Sequence, residues 1–358
     1  MNNFYKTCLM AGTILSLSSF NANAQSCHEN HATSPDAPIS IMGDHTHAKG
    51  DWMVSYNAKR MHMQGNLQGS DSISPETIVT TISNPNAPPN TLRVVPTQMD
   101  MDMHMFGAMY GLSDKLTIMA MTMYMQKEMD HITFSGMMGT TRLGSFTTKS
   151  SGWGDTSITG IYNLYKAPKH NVNISLGISA PTGSIKEEDD VLTPLNTRPT
   201  LRLPYSMQLG SGTWDALPAI IYSGHKDKIS WGAQYKATIR LESENSQQYQ
   251  WGDTHKVTGW GGYKVSNELS INAIASYEKQ GKITGSDANI TAPVQTANPD
   301  NYGGKTIELG AGFVYAPDIP AIKGFEFGAQ LNAPIYQDLN GVQMNRDWSI
   351  ITKLSYRF

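Results

Sequence analysis

Long apolar runs are scarce in this chain. Beyond the first 24 residues no stretch approaches the roughly 18 consecutive apolar residues that a membrane-spanning helix requires, so any passage through a bilayer must use strands. Charge is also thin. Asp, Glu, Lys and Arg make up 16% of the residues and the net charge is -3, with no basic stripe, which argues against a nucleic-acid partner. Cysteine is nearly absent. Cys8 lies in the leader, so Cys27 stays alone and an internal disulfide is excluded. The residues before it, Ala24-Gln25-Ser26, depart from the Leu-small-small pattern of a lipidated N-terminus.

What is present starts with a secretory leader over residues 1–24. Lys6 supplies its positive start, Cys8 to Leu17 its short apolar stretch, and Ala22-Asn23-Ala24 its small-residue cleavage site, so the mature chain begins near Gln25. The remainder is rich in glycine and tyrosine, with 32 and 16 of each scattered among short alternating runs, a mixture that suits strands and turns. Ile229 to Glu242 is the clearest run: Ile229, Trp231, Ala233, Tyr235, Ala237, Ile239 and Leu241 share one face, opposite Ser230, Gln234, Lys236, Arg240 and Glu242. The end of the chain, Trp348 to Phe358, alternates in the same way and stops on an aromatic residue, as outer-membrane barrels do when they present a last strand to the insertion machinery.

Such runs predict about twelve strands, near residues 51–63, 98–110, 115–127, 153–166, 171–180, 213–223, 228–242, 254–266, 268–278, 305–316, 323–333 and 347–358. Their connections alternate between tight turns and long Gly/Ser/Asn/Pro-rich loops near 64–97, 128–150, 181–212, 243–253, 279–304 and 334–346. That pattern predicts an all-β, antiparallel up-and-down barrel over residues 51–358 in the outer membrane of a Gram-negative bacterium. Its short turns and both termini would be periplasmic. Residues 25–50, with Cys27, His28, His31, His45 and His47 and no alternation, read as a periplasmic extension, flexible or loosely packed in the lumen mouth.

No catalytic arrangement stands out. Glu187-Glu188-Asp189-Asp190 falls in an expected external loop and reads as a solvated face, so the chain is not expected to be an enzyme. A rim-site outer-membrane hydrolase, with turnover abolished by one Ser or His substitution, is the rival from that class. The unusual residue is methionine, 20 in all. Met99, Met101, Met103 and Met105 occupy every second position of one strand and Met119, Met121, Met123 and Met125 every second position of the next, with Met53, Met61 and Met63 in the strand before them. Thioethers favour Cu(I) and Ag(I), and imidazole extends the range to Cu(II) and Zn(II).

Which way these rows point is less plain. Asp100, Asp102 and His104 alternate with the first row, and because charges avoid lipid they are expected in the lumen, which turns that Met row toward the bilayer. The Met119–Met125 row suits the lumen, and Trp52, Val54 and Tyr56 facing outward put Met53, Met61 and Met63 inside. The residues singled out for soft-metal binding are therefore His28, His31, His45, His47, Met101, Met103, Met105, His104, Met119, Met121 and Met123. Copper is the ion implied, and no cofactor is required. Plain apolar packing by an adaptable side chain is the competing explanation of the methionines. Luminal candidates elsewhere, among them Lys59, Lys236, Lys256, Glu278, Glu308, Glu326 and Lys353, carry both signs and are expected to pair across a narrow bore.

MGDHTHAKGDWMVSY (42–56), MDMHMFGAMYGLSDKLTIMAM (101–121), SSGWGDT (150–156) and LPYSMQLGSGTWD (203–215) resemble outer-membrane transporters grouped as the phenol-degradation MetA-pathway barrel family. The Met/His-rich first third is similar to a branch associated with heavy-metal, particularly copper, handling. The resemblance implies a barrel that passes small molecules, hydrophobic or aromatic compounds among them, and carries over no catalytic residue. Expected partners are outer-membrane lipid, the insertion machinery and a small-molecule or metal-ion cargo.

Overall fold

Each alternating run becomes a strand hydrogen-bonded to its neighbours in sequence in the computed structural model, which describes residues 37–358. The staves are β1 (Trp52–Gly69), β2 (Val94–Ser113), β3 (Leu116–Phe134), β4 (Thr156–Ala167), β5 (His170–Ala180), β6 (Asp215–Lys226), β7 (Ile229–Arg240), β8 (Thr254–Lys264), β9 (Leu269–Gln280), β10 (Gly304–Tyr315) and β11 (Phe325–Arg357). They form one antiparallel sheet in chain order, and β11 pairs back onto β1 from Met53↔Arg357 upward, which closes the barrel. Closure leaves no sheet edge whose polar backbone would face lipid. Among the described residues no helix is long and apolar enough to cross a membrane.

The last element, 33 residues long, is folded double. Its first arm pairs with β10 through Phe327 to Leu339, and its second with β1 through Leu339 to Arg357. Gly341, at φ +59°, turns the chain. At the other end the Arg357 amide donates to the Gly324 carbonyl at 3.0 Å and the Phe325 and Tyr356 rings lie 4.5 Å apart. Eleven continuous elements, one of them a hairpin, thus make the twelve staves that alternation predicts.

Three expected long loops change shape. The connection near 334–346 is this tight hairpin. Within 128–150, β3 continues to Phe134 and a side strand, Arg142–Trp153, pairs along its upper half. Within 64–97, Pro75–Thr81 forms a short helix, its first turn capped by Ser74, whose Oγ accepts from the Thr77 amide at 3.2 Å, and its Ile78 and Val79 buried. Length explains the first two. β3 runs for 19 residues and the doubled β11 for 33, whereas about 9–11 per stave suffice to cross the lipid. The excess extends the wall past the membrane on the long-loop side.

Both ends of the bore are covered. At the long-loop end, Phe146, Tyr205, Tyr249 and Tyr302 pack into one apolar cluster, Tyr205 and Tyr249 edge to face at 4.7 Å. At the short-turn end, Ala37 to Gly50 lies inside the barrel as a plug. Ile41 packs on Ile221, Trp260 and Ile274. The carbonyls of Met42, Gly43 and Asp44 accept from Gln234, Asn173 and Asn171 at 3.1, 2.9 and 3.1 Å. The His47 amide donates to Thr117 Oγ1 at 2.8 Å. The extension is thus seated against the wall by its backbone.

Gly111 makes this seat possible. A Cβ at that position would lie 1.9 Å from the Ala48 carbonyl oxygen. Backbone cannot yield that distance cheaply, so Gly111→Ala is expected to unseat the plug while the barrel persists. Hydrogen exchange at the His47 amide tests it: protection should be lost in the variant, and retained protection would show that the plug is held elsewhere.

Candidate functional site

Pairing register decides which methionines meet. Residues directly opposite in adjacent antiparallel strands share a face. Across β1, β2 and β3 the rungs read Met53–Met109–Met119, Ser55–Gly107–Met121, Asn57–Met105–Met123, Lys59–Met103–Met125, Met61–Met101–Lys127 and Met63–Met99–Met129. Met53, Asn57, Met99, Met109, Met119, Met125 and Met129 are buried, whereas Trp52, Val54, Tyr56 and Phe106 on the alternate row are exposed. Every rung therefore points into the lumen, including the β2 row, which the charged residues beside it led one to expect on the bilayer side.

That correction has a plain cause. Asp100, Asp102, His104, Arg60 and His62 do lie on the outer face, but above the lipid. Along β1 the outer row is apolar at Trp52, Val54, Tyr56 and Ala58 and becomes charged at Arg60 and His62. The boundary carries an aromatic girdle in which Tyr56 and Phe106 lie 5.4 Å apart, Phe106 and Trp153 6.1 Å, and Tyr124 and Trp153 5.7 Å. Beyond it, His62 Nδ1 meets Asp100 at 2.9 Å and Arg60 meets Asp102 at 3.7 Å on the water-exposed overhang. His104 belongs to this outer surface. Its Nδ1 bonds the Tyr56 hydroxyl at 2.7 Å, so it does not join the methionines with which it was grouped.

The ladder runs the height of the wall. Its lower rungs form a cluster of Met53, Met109, Met119 and Ile161, with Met42 of the plug and Met121 against it. Its upper rungs pack Met99 and Met129 on Leu203, Met207 and Met344. The grouping of Met101, Met103, Met105, Met119, Met121 and Met123 thus reports one surface, to which Met99, Met125, Met129, Met207 and Met344 are added. Met207 and Met344 come from a distant loop and from β11, and no local spacing could have announced them.

Histidines stand at both ends. His45 and His47 lie in the plug next to the lowest rung, their rings 5.1 Å apart between centroids. Burial pushes the His47 imidazole down to about 3, with the neighbouring His45 and Arg357 acting in the same direction. At the top, His131 follows Met129 on the same face and stacks on Phe146 at 4.7 Å. It borders a largely apolar cavity of about 160 Å³ lined by Val94, Phe146, Leu192 and Leu203. His28, His31 and Cys27, like the leader over residues 1–24, lie outside the described residues. Among the described residues no three His, Cys, Asp or Glu side chains group as a metal site.

The rest of the lumen wall, starting with the strand arm next to β1, is charged. Lys256 sits between Glu308 and Glu278 at 3.1 and 3.5 Å, Arg346 meets Glu278 at 3.3 Å, and Lys353 meets Glu326 at 2.8 Å. Arg240 pairs with buried Asp215. The lumen is therefore two-sided, thioethers beside an ion-paired wall. The acidic run near 187–190 serves local structure: Glu188 pairs with Arg202 at 3.3 Å, and Asp189 accepts from the Lys149 amide at 2.7 Å.

Residues 130–318 match the model of a family described as "Putative MetA-pathway of phenol degradation". No curated protein matches the chain. Among solved structures, an outer membrane channel from Pseudomonas putida F1 is similar over 90% of this chain and all of its own, at 13% identity and a TM-score of 0.58, which establishes a shared fold. The toluene transporter TbuX of Ralstonia pickettii covers 87% of this chain and 90% of its own at 10% identity, with a TM-score of 0.48. The Pseudomonas putida F1 channel is an outer-membrane barrel, and this chain has a barrel of that kind.

Proposed function

For a chain that belongs to this MetA-pathway phenol-degradation family, we propose an outer-membrane channel whose methionine wall carries a soft metal ion, Cu(I) or Ag(I), with the short turns and both termini in the periplasm. The observation that carries this reading is the register, which stacks the thioethers of three strands on one luminal face. Directly opposed side chains in a rung have Cβ atoms about 5 Å apart. Two sulfurs can then share one ion and hand it to the next rung, roughly 7 Å away along the strand.

Selectivity follows from the two walls together. Lys59, which stands in the ladder itself, together with Lys236, Lys256 and Arg346 outnumbers the Glu278 and Glu308 carboxylates they surround, so the lumen repels free cations. A hard cation gains nothing from thioethers to offset that repulsion, whereas a soft one gains coordination. Leucine would supply the same apolar surface without donors.

The test is flux of Ag(I) into proteoliposomes carrying an internal metal-sensitive dye. Met103→Leu, Met105→Leu and Met123→Leu together preserve side-chain volume closely, so the barrel should fold. Flux is expected to fall about tenfold, the equivalent of ~1.4 kcal/mol of lost coordination along the path. Unchanged flux would reduce the methionines to packing.

A second reading rests on the cavity beside His131, because an apolar space of roughly 150 Å³ can hold a benzene-sized molecule. Under that reading the cargo is a small hydrophobic or aromatic compound. The same vesicles would then show uptake of such a compound and no response to the Met→Leu changes.

A further inference from the structure

The imidazoles of the plug are held in a state that hydrogen bonding alone does not explain. His45 presents Nδ1 to Asp44 Oδ1 at 2.9 Å. A carboxylate accepts, so Nδ1 carries the proton and the lone pair is left on Nε2. That Nε2 is buried without a hydrogen-bond partner, and so are both ring nitrogens of His47, whose exposure is 2%. Leaving buried polar nitrogens unmet is costly. A carboxylate on the far nitrogen is how metal-binding histidines are usually oriented.

The spacing fits a shared ion. With metal–nitrogen bonds of about 2 Å, two rings on one ion have centres roughly 5–6 Å apart, and these lie at 5.1 Å, inclined by 77°. Beside this corner of the plug stand thioethers. His47 is tied by its amide to Thr117, and one rung further along the same face stand Met109 and Met119, against which Met42 of the plug also packs. Zn(II) favours four ligands of nitrogen, oxygen or thiolate, and the Asp44 carboxylate is already engaged by His45 Nδ1, whereas imidazole with thioether suits a monovalent soft ion.

We propose that His45 Nε2 and a ring nitrogen of His47, with a thioether of the Met109–Met119 rung, bind one Cu(I) or Ag(I) ion where the plug meets the foot of the ladder, Asp44 positioning His45. The choice of ion agrees with the channel reading above, but the site does not depend on conduction through the lumen. It would bind metal even in a barrel that carries another cargo.

The experiment is a titration of the full chain in detergent, its Cys27 thiol alkylated, with Ag(I) against a chromogenic competing chelator. Four proteins are compared: wild type, His45→Gln with His47→Gln, Met109→Leu with Met119→Leu, and the Met103/Met105/Met123 triple Leu variant. The His pair variant should bind one ion fewer per chain, the Met109/Met119 variant should bind that ion at least about tenfold more weakly, and the triple variant should keep it. Equal stoichiometry and affinity in wild type and the His pair variant would overturn the site. Loss only in the triple variant would overturn it too while leaving the channel reading standing. Should the His pair variant misfold, X-ray absorption of the Cu(I)-loaded wild type decides, since a first shell without imidazole scattering refutes the site.

Discussion

Removing Ala37 to Lys49 is expected to turn a nearly silent barrel into an ohmic pore in planar bilayers. Over that short length the plug touches the wall on nearly every side: Ile39 lies against Gly328, Ile41 against Trp260 and Ile274, Gly43 against Ile161 and Ile221, and Ala48 against Gly111. Little room for hydrated ions is left at that level. Ile39 and Ile41 are 6% and 5% exposed, and each fully buried side chain of this size contributes about 1.5–3 kcal/mol, enough together to keep the segment seated at rest. The staves do not depend on it, because their hydrogen bonds run to one another. Steady conductance should therefore rise while the barrel still forms. If the deleted protein stays silent, the tyrosine-rich loop cluster at the other end is the tighter barrier.

The second large effect is expected at Lys256. This side chain lies between Glu278 and Glu308 and is about one-fifth exposed, as the two carboxylates are. Lys256→Met removes the bridging charge and leaves Glu278 dependent on Arg346 and Glu308 on the unbridged charges of Lys59 and Lys236. Breaking such a sheltered pair from one side costs about 3 kcal/mol, because the remaining charge keeps its desolvation penalty and loses its direct partner. Urea unfolding of the folded barrel in detergent should show the loss. Reversal potentials should move toward cation selectivity, since a positive charge has left the lumen. Adding Glu308→Gln should recover most of the stability. Failure of that second change to rescue would mean that Lys256 acts through packing of its stem.

Much of the architecture was legible in the chain because a stave alternates strictly and turns interrupt it. Ile229 to Arg240, Leu269 to Gln280 and Thr254 to Lys264 appear within two residues of where alternation puts them. The hairpin at Gly341 was read as a long loop because Gln337, Asp338, Asn340 and Asn345 are polar on both faces, which is what a strand raised above the lipid looks like. The Arg142–Trp153 strand was missed for the same reason. Of the candidate site, the methionine rows could be seen at period two, whereas Met207 and Met344 reach the cluster only through the packing of a loop and of the closing hairpin.

Period two determined which residues stand together: the Met99–Met105 row on one side, Asp100, Asp102 and His104 on the other. It could not determine which side faces in, because a strand reads the same from both faces. The tertiary structure decided that. Closure and register matched Met99 to Met63 and to Met129, while staves longer than the lipid is thick lifted the charged row into water, where it could face outward without cost.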